Sequence, residues 1–247
     1  MRSGSITGRA CGGSHGLGFD PAAVTGSKGA TREASGGAEA WSRFKGSRRI
    51  GPARPELRPP LDGCAWAAVN ALEAQANLHG LEVARPDVSE RDEIFAFMRR
   101  VRVGLLGESC VPRTYQGPDS IDPDFCEFER HYHATTGSGH FLLLRELGAD
   151  IAGSGALLRV DEDRVELKKM YLDDRLRGCG LGSKLLDALL AISASDGYRT
   201  VQLRTRPKMT AAIALYESRG FERTTSLLAP CYLFYELQLQ RRQARAA

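Results

Sequence analysis

Arg177-Gly178-Cys179-Gly180-Leu181-Gly182-Ser183-Lys184 is the stretch on which the reading of this chain turns. After it, Leu181, Leu185, Ala188, Leu189 and Ile192 recur at helical spacing, and Gly197 stands where a helix of that length would end. Before it, Val165–Leu172 is an apolar-rich run that reads as a strand. Three glycines between a strand and a helix N-terminus leave backbone N–H groups unshielded, where the helix dipole adds positive potential. Such a turn is a cradle for an anion, most naturally a phosphate or pyrophosphate, with Arg177, Ser183 and Lys184 near enough to supplement it. Spacing excludes two nucleotide motifs. A Walker A loop needs Gly directly before Lys, and here Ser183 precedes Lys184. A dinucleotide fingerprint needs Gly-x-Gly-x-x-Gly and an acid at the end of the next strand, and the strand Val201–Leu203 has none. A glycine turn that serves packing alone is the competing reading.

The pattern continues on both sides. Ile151–Val160 and Val165–Leu172 are joined by Asp161, Glu162 and Asp163, a turn chemistry that predicts an antiparallel hairpin. His140–Glu146 is a further strand, and Leu81–Arg85 a first one that stops before Pro86. Ser89 offers an N-cap and Asp92 a first-turn acid for a helix through Ile94, Phe95, Phe97 and Met98. Gly104–Pro123 reads as loop, Phe125–Tyr132 as a second helix, and Cys64–Leu78 as a short Ala- and Leu-rich helix. Beyond Val201–Leu203, a helix over Thr210–Arg219 closes with Gly220 and apolar Phe221 in Schellman fashion. Strands near Thr224–Leu228 and Tyr232–Leu239 complete an α/β or α+β arrangement around one sheet.

Arg177-x-x-Gly180-x-Gly182 resembles the acetyl-CoA pyrophosphate motif of the GNAT superfamily of N-acetyltransferases, and Ala212-Ile213-Ala214-Leu215-Tyr216-Glu217-Ser218-Arg219-Gly220-Phe221 resembles its second motif. The two follow in the family's order, with a strand between them. The resemblance implies a mixed, mostly antiparallel sheet, flanked by helices on both faces and splayed between its fourth and fifth strands. It implies that Arg177, Gly178, Cys179, Gly180, Leu181, Gly182 and Ser183 hold the pyrophosphate, and that the main chain of Met170, Tyr171 and Leu172 pairs with the pantetheine amides. Acetyl-CoA would be the acyl donor, with no metal, and a primary amine of a small molecule or peptide the acceptor, reached by direct transfer. At Met209 many members carry Asn instead.

This chemistry needs two proton movements, because an amine attacks only when neutral and a departing thiolate benefits from an acid. Tyr216 stands where the family keeps its acid, and loss of a phenolic acid is expected to alter the alkaline limb of the rate. Glu166 stands where one branch keeps its glutamate base. A packed core tyrosine is the alternative for the first, and water or another carboxylate for the second. The competing function is a non-catalytic acyl-CoA or nucleotide-binding sensor. Acceptor choice falls to residues 90–140, where no motif is legible.

Bulk properties bound these readings. The 247 residues are 42% hydrophobic and 26% charged, which suits one domain with appended material. Residues 1–55 hold nine Lys or Arg against three acids, so they carry +6 of a formal +4, and the rest of the chain is −2. A near-neutral remainder gives no footprint for nucleic acid. The six cysteines are scattered without a C-x-x-C pair, and no run approaches a membrane span or a signal h-region, so a cytoplasmic protein with no membrane partner is expected. Whether two copies form a homodimer stays open. Residues 1–60 are rich in Gly, Ser and Arg and read as a disordered extension, whether a tail, a transit peptide or sequence ahead of the true start. Residues 61–79 read as a short helical segment, 80–240 as the GNAT-like domain and 241–247 as a basic tail. His131 and His133 read as a surface pair, Cys179 as a bystander, and a chain beginning near Leu78 is expected to fold and bind like the whole.

Overall fold

The computed structural model describes residues 61–111, 123–132, 137, 139–146, 150–224 and 231–239. Asp62 opens helix α1 (Gly63–Asn77) as its N-cap, its carboxylate accepting from the N–H groups of Cys64 and Ala65 at 2.9 and 2.8 Å. Strand β1 (Leu81–Ala84) follows, then a 3-10 turn over Val88–Glu90 and helix α2 (Arg91–Leu106). Asp87, not Ser89, caps this region: its side chain accepts from the Ser89 N–H while Glu90 reaches back to the Asp87 N–H, a capping box. Gly104 does not end α2, which runs two residues further and stops at Gly107, where φ is +86°.

Short helices α3 (Pro123–Cys126) and α4 (Phe128–Tyr132) precede strands β2 (His140–Glu146), β3 (Ile151–Arg159) and β4 (Arg164–Leu172). Helix α5 (Leu181–Ser195) crosses over to β5 (Thr200–Thr205), and α6 (Thr210–Glu217), β6 (Glu222–Thr224) and β7 (Leu233–Gln238) finish the order. Both expected glycine endings are present. The Tyr198 and Gly197 N–H groups donate to Ser193 and Ala194 carbonyls after α5, and those of Phe221 and Gly220 donate to Tyr216 and Glu217 after α6. The strand expected from Thr224 begins earlier, at Glu222, and residues 225–228 lie outside the described residues. The 1–60 extension and the 241–247 tail lie outside them as well.

The seven strands form one sheet in the order β1-β2-β3-β4-β5-β7-β6, antiparallel throughout except for the parallel pair β4–β5. One face packs under α1 and α5 through Leu144, Leu157, Val165, Leu167, Val201 and Leu203. The other packs under α2, α3 and α4 through Phe141, Leu143, Ala156 and Leu158. Each strand sends alternate residues to the two faces, so near-continuous burial of β2 and β3 follows from a sheet covered on both sides. No helix among the described residues is long and apolar enough to cross a membrane.

Helix α1 is part of this core. Ala65, Val69, Leu72 and Ala76 lie on one face and are buried in the same cluster as Leu181, Leu185 and Leu189 of α5. The expectation that a chain beginning near Leu78 would suffice is therefore reversed, because that cut strips the cover from α5. Leu72→Ala should cost about 2–5 kcal/mol, and a chain starting at Leu78 should lose cooperative unfolding while one starting at Leu61 keeps it. Urea denaturation of the three would check this.

Candidate active site

Strands β4 and β5 are hydrogen-bonded from Arg164↔Thr200 to Leu167↔Leu203 and then part. β5 stays attached to β7 as far as Thr205↔Leu233, so from Lys168 onward one edge of β4 has no strand beside it. A bulge lies at the same level. Ser154 opposes Tyr171 while Ala156 opposes Lys168, leaving Lys169 and Met170 across from Gly155 alone, with Lys169 at φ +55° and its carbonyl accepting from Ser154 Oγ at 2.7 Å. The extra residue resets which face each side chain takes. Met170 and Leu172 join the α5 side, while Tyr171 joins the α2 side.

The gap opens into a cleft. Of the residues singled out in the sequence, Glu166, Met170, Tyr171 and Tyr216 all line it, as does Met209. Ala212 and Tyr216, one turn apart on α6, turn the same face toward it. Tyr216 is 7% exposed, its ring edge-on to Phe221 at 5.7 Å. Burial, with the Tyr171 phenol adding to it, pushes the Tyr216 hydroxyl well above the ordinary phenolic range. It therefore keeps its proton past the pH at which an ordinary phenol ionises.

Glu166 is 1% exposed, and neither carboxylate oxygen has a hydrogen-bond partner among the described residues. Its nearest cation is Lys168 Nζ at 3.9 Å. Gln202, its register neighbour on β5, is also buried with both amide atoms unpartnered. Buried polar atoms left unpaired cost about 1–3 kcal/mol each, and of this pair Glu166 lines the cleft. Behind them stands a satisfied cluster. Asp124 of α3 accepts from Lys168 Nζ at 2.8 Å and Tyr132 Oη at 2.6 Å, with Lys169 Nζ at 3.4 Å. Burial alone would raise the Asp124 pKa, but the two lysines overcome it and hold the carboxyl far below the usual range.

The glycine loop lies at the N-terminus of α5, beside the end of β4. Gly178 and Gly180 have φ of +79° and +85°, and a Cβ built on either meets no atom closer than 4.0 Å. Gly182 differs, since its Cβ would stand 3.3 Å from Leu172 Cδ1. Packing thus explains Gly182 but not the other two, which hold a left-handed turn open to space. No side chain caps α5 and no acid lies in its first turn, so the N–H groups of Leu181, Gly182 and Ser183 are left for an outside acceptor. Arg177 pairs with Asp174 at the surface. The Cys179 thiol donates to the Leu176 carbonyl at 2.8 Å, and Gln75 of α1 donates to the Cys179 carbonyl at 2.9 Å, which makes this cysteine part of the loop's scaffold.

The sequence reading missed Asp124, Lys168, Lys169, Arg204 and Arg206, which surround the cleft or back it. Arg204 and Arg206 were findable, as paired arginines where an apolar strand meets the expected gap. Asp124 was not, since a four-residue helix delivers it from a distant segment. Burial lowers the pKa of His131 against the opposing pull of Asp124 and Glu127, and His133 lies outside the described residues. Among the described residues no three His, Cys, Asp or Glu gather as a metal site.

Asp124 also fixes a pH dependence. A carboxyl whose folded pKa is depressed stabilises the fold above its unfolded value, about 3.9, and that stability is lost as pH falls through the lower folded value. Asp124→Asn removes the carboxylate that faces two buried cations and should cost about 3–5 kcal/mol at neutral pH. Urea unfolding from pH 7 to 3 should show a constant gap between the two proteins above about pH 5, narrowing below about pH 4.

Residues 108–221 match the Acetyltransferase (GNAT) family. The chain is 32% identical over 110 residues to the uncharacterized N-acetyltransferase YjgM of Escherichia coli (strain K12), covering 43% of this chain and 64% of that protein. It is 31% identical over 104 residues to N-acetylaspartate synthetase of Danio rerio, covering 42% of this chain and 36% of that protein. The chain thus spans well under the full length of either relative. A GNAT-family acetyltransferase from Staphylococcus aureus Mu50 superposes with a TM-score of 0.54 at 23% identity, covering 65% of this chain and 99% of that one, a likeness of fold. With the parted strands and the glycine loop in the family's order, residues 108–221 are similar to the Acetyltransferase (GNAT) family in sequence and the described residues are similar to it in fold.

Proposed function

We propose that this chain is an acetyl-CoA-dependent N-acetyltransferase that passes the acetyl group directly to a primary amine of a small molecule or protein. The observation that supports it is the gap between β4 and β5, which opens a cleft lined by Glu166 and Tyr216, with the glycine loop at the start of α5, outside that lining, packed against Leu172 at the end of β4. The cradle fits a pyrophosphate, because Gly178 and Gly180 leave open the space a Cβ would fill. Arg177 and the backbone from Gly178 to Ser183 would hold that group, and the free edge of β4 at Met170, Tyr171 and Leu172 would pair with the pantetheine amides as an added strand. When bound, acetyl-CoA supplies a thioester acyl group.

The chain's own residues supply orientation and proton transfer. Glu166, buried and unpartnered, receives the acceptor's ammonium and takes its proton, leaving the neutral amine that can attack. Tyr216 holds its proton on the phenol oxygen and donates it where negative charge develops on sulfur. Direct attack needs no covalent acyl-enzyme, and Cys179, its thiol engaged with the Leu176 carbonyl, has no part in the chemistry.

Two substitutions test this reading. Gly180→Val forces a β-branched residue to positive φ and fills the cradle, so acetyl-CoA affinity should fall about tenfold or more, roughly 1.4 kcal/mol. Calorimetry that found it unchanged would reduce the loop to a packing turn. Tyr216→Phe keeps the ring against Phe221 and removes the hydroxyl. Turnover across an amine panel should fall roughly a hundredfold or more, with acetyl-CoA affinity nearly constant. Because burial raises the Tyr216 pKa, the phenol stays protonated past its ordinary value of about 10. The wild-type rate should therefore show no Tyr216-dependent fall below that pH, a shift upward from the alkaline limb expected of an unperturbed phenol. Binding of acetyl-CoA without turnover of any amine would favour a sensor.

A further inference from the structure

We infer that Gln75 is a positioning residue of the donor site, which aims the Gly180 N–H at the pyrophosphate and so sets the affinity for acetyl-CoA; this rests on the transferase reading and deepens its donor half. Gln75 lies on α1, ahead of the residues 108–221 that match the family. Its Nε2 donates to the Cys179 carbonyl at 2.9 Å, across 104 positions of sequence.

The helix that carries Gln75 is firmly seated. Leu72 and Ala76, which flank it on α1, are fully buried in the same cluster as Leu181 and Leu185 of α5. Gln75 itself is half-buried and stands against the turn, because a Cβ built on Gly180 would meet its Nε2 at 4.0 Å. The same nitrogen lies 3.4 Å from His79 Nε2, one turn on, which takes the second amide hydrogen in the tautomer that leaves that nitrogen bare. A carbonyl is satisfied only by a donor, so the bond fixes the amide and the turn together.

Peptide geometry says what that bond controls. The Cys179–Gly180 peptide is trans, so the Gly180 N–H points opposite to the Cys179 carbonyl. Holding the carbonyl toward α1 therefore turns this N–H away from α1. Gly180 is left-handed, with φ +85° and ψ −12°, and Leu181 opens a right-handed helix. Successive residues of opposite hand bring their N–H groups round to one concave point, an anion nest, and here the Gly180 N–H is its first donor. Among the described residues it donates to no backbone carbonyl. Glycines on both sides of Cys179 would otherwise let the peptide rotate, since each has a wide choice of φ. Fixing the turn before the ligand arrives removes an ordering cost from binding.

The test uses the full chain. Gln75→Met keeps the length and helix preference of the side chain without its donor, and Gln75→Leu is run beside it, with urea unfolding as the check on both. Calorimetry, by competition against CoA where binding is weak, gives the affinities for acetyl-CoA, dephospho-CoA and S-acetylpantetheine, and turnover is followed on the amine panel. Dephospho-CoA keeps the pyrophosphate and S-acetylpantetheine lacks it. Affinity for acetyl-CoA and dephospho-CoA should fall about three- to tenfold, as for one lost hydrogen bond. S-acetylpantetheine affinity, cooperative unfolding and kcat at saturating acetyl-CoA should hold, so the effect appears in KM. Unchanged acetyl-CoA affinity would overturn this inference and leave the transferase reading standing. So would an equal fall for S-acetylpantetheine or loss of cooperative unfolding in both variants, either of which would make Gln75 a packing residue. A fall for acetyl-CoA but not for dephospho-CoA would also overturn it, by giving Gln75 to the other phosphate. The expected losses in a protein that turns over no amine would uphold the inference and overturn the transferase reading. Failure of the unaltered chain to bind acetyl-CoA would overturn both.

Discussion

Two parallel strands that separate after four paired residues govern the rest of this structure. β4 and β5 cannot be joined by a hairpin, so the chain must cross over through α5, and the start of that helix arrives where β4 ends. The separation has causes on both sides. β5 is bound to β7 through Thr205, while the bulge at Lys169 adds twist and bends β4 with β3 instead. The edge of the bulged β4 and one face of α6 then border one opening, and the N-terminus of α5 lies at the end of β4.

Polar groups near that opening fall into two kinds. Asp124, Lys168, Lys169 and Tyr132 satisfy one another in the interior, which fixes α3 against the sheet and sets the shape of the wall. Glu166 and Gln202 are equally buried and unsatisfied. Pairing offsets desolvation in the first arrangement, and in the second the desolvation is left uncompensated by hydrogen bonds among the described residues. Tyr216 lies between these cases, its phenol kept protonated past the ordinary range by burial.

Helix α1 ties the N-terminal part of the described fold to the cradle. Its apolar face covers α5, and Gln75 anchors the Cys179 carbonyl inside the glycine turn. The family match begins at residue 108, well after α1, so the element that steadies the loop from outside is not among the residues matched.

What the sequence by itself determined was local. The glycine turn before an amphipathic helix, the acidic turn of the β3–β4 hairpin, the Schellman endings at Gly197 and Gly220, and Tyr216 one turn from Ala212 all follow from spacings within a few residues, because caps, turns and helix faces are set by neighbours in the chain. Even locally, competing donors misled: Ser89 looked like a cap, but Glu90 closes a box with Asp87, and Gly104 looked like a stop where packing carried α2 past it. Only the tertiary structure decided that α1 belongs to the core, that Asp124 compensates Lys168 and Lys169, that Glu166 is buried without a hydrogen bond among the described residues, and that Arg204 and Arg206 share the Tyr232 ring. Those facts join residues far apart in the chain, and periodicity records which face a side chain takes but not which distant residue will stand opposite it.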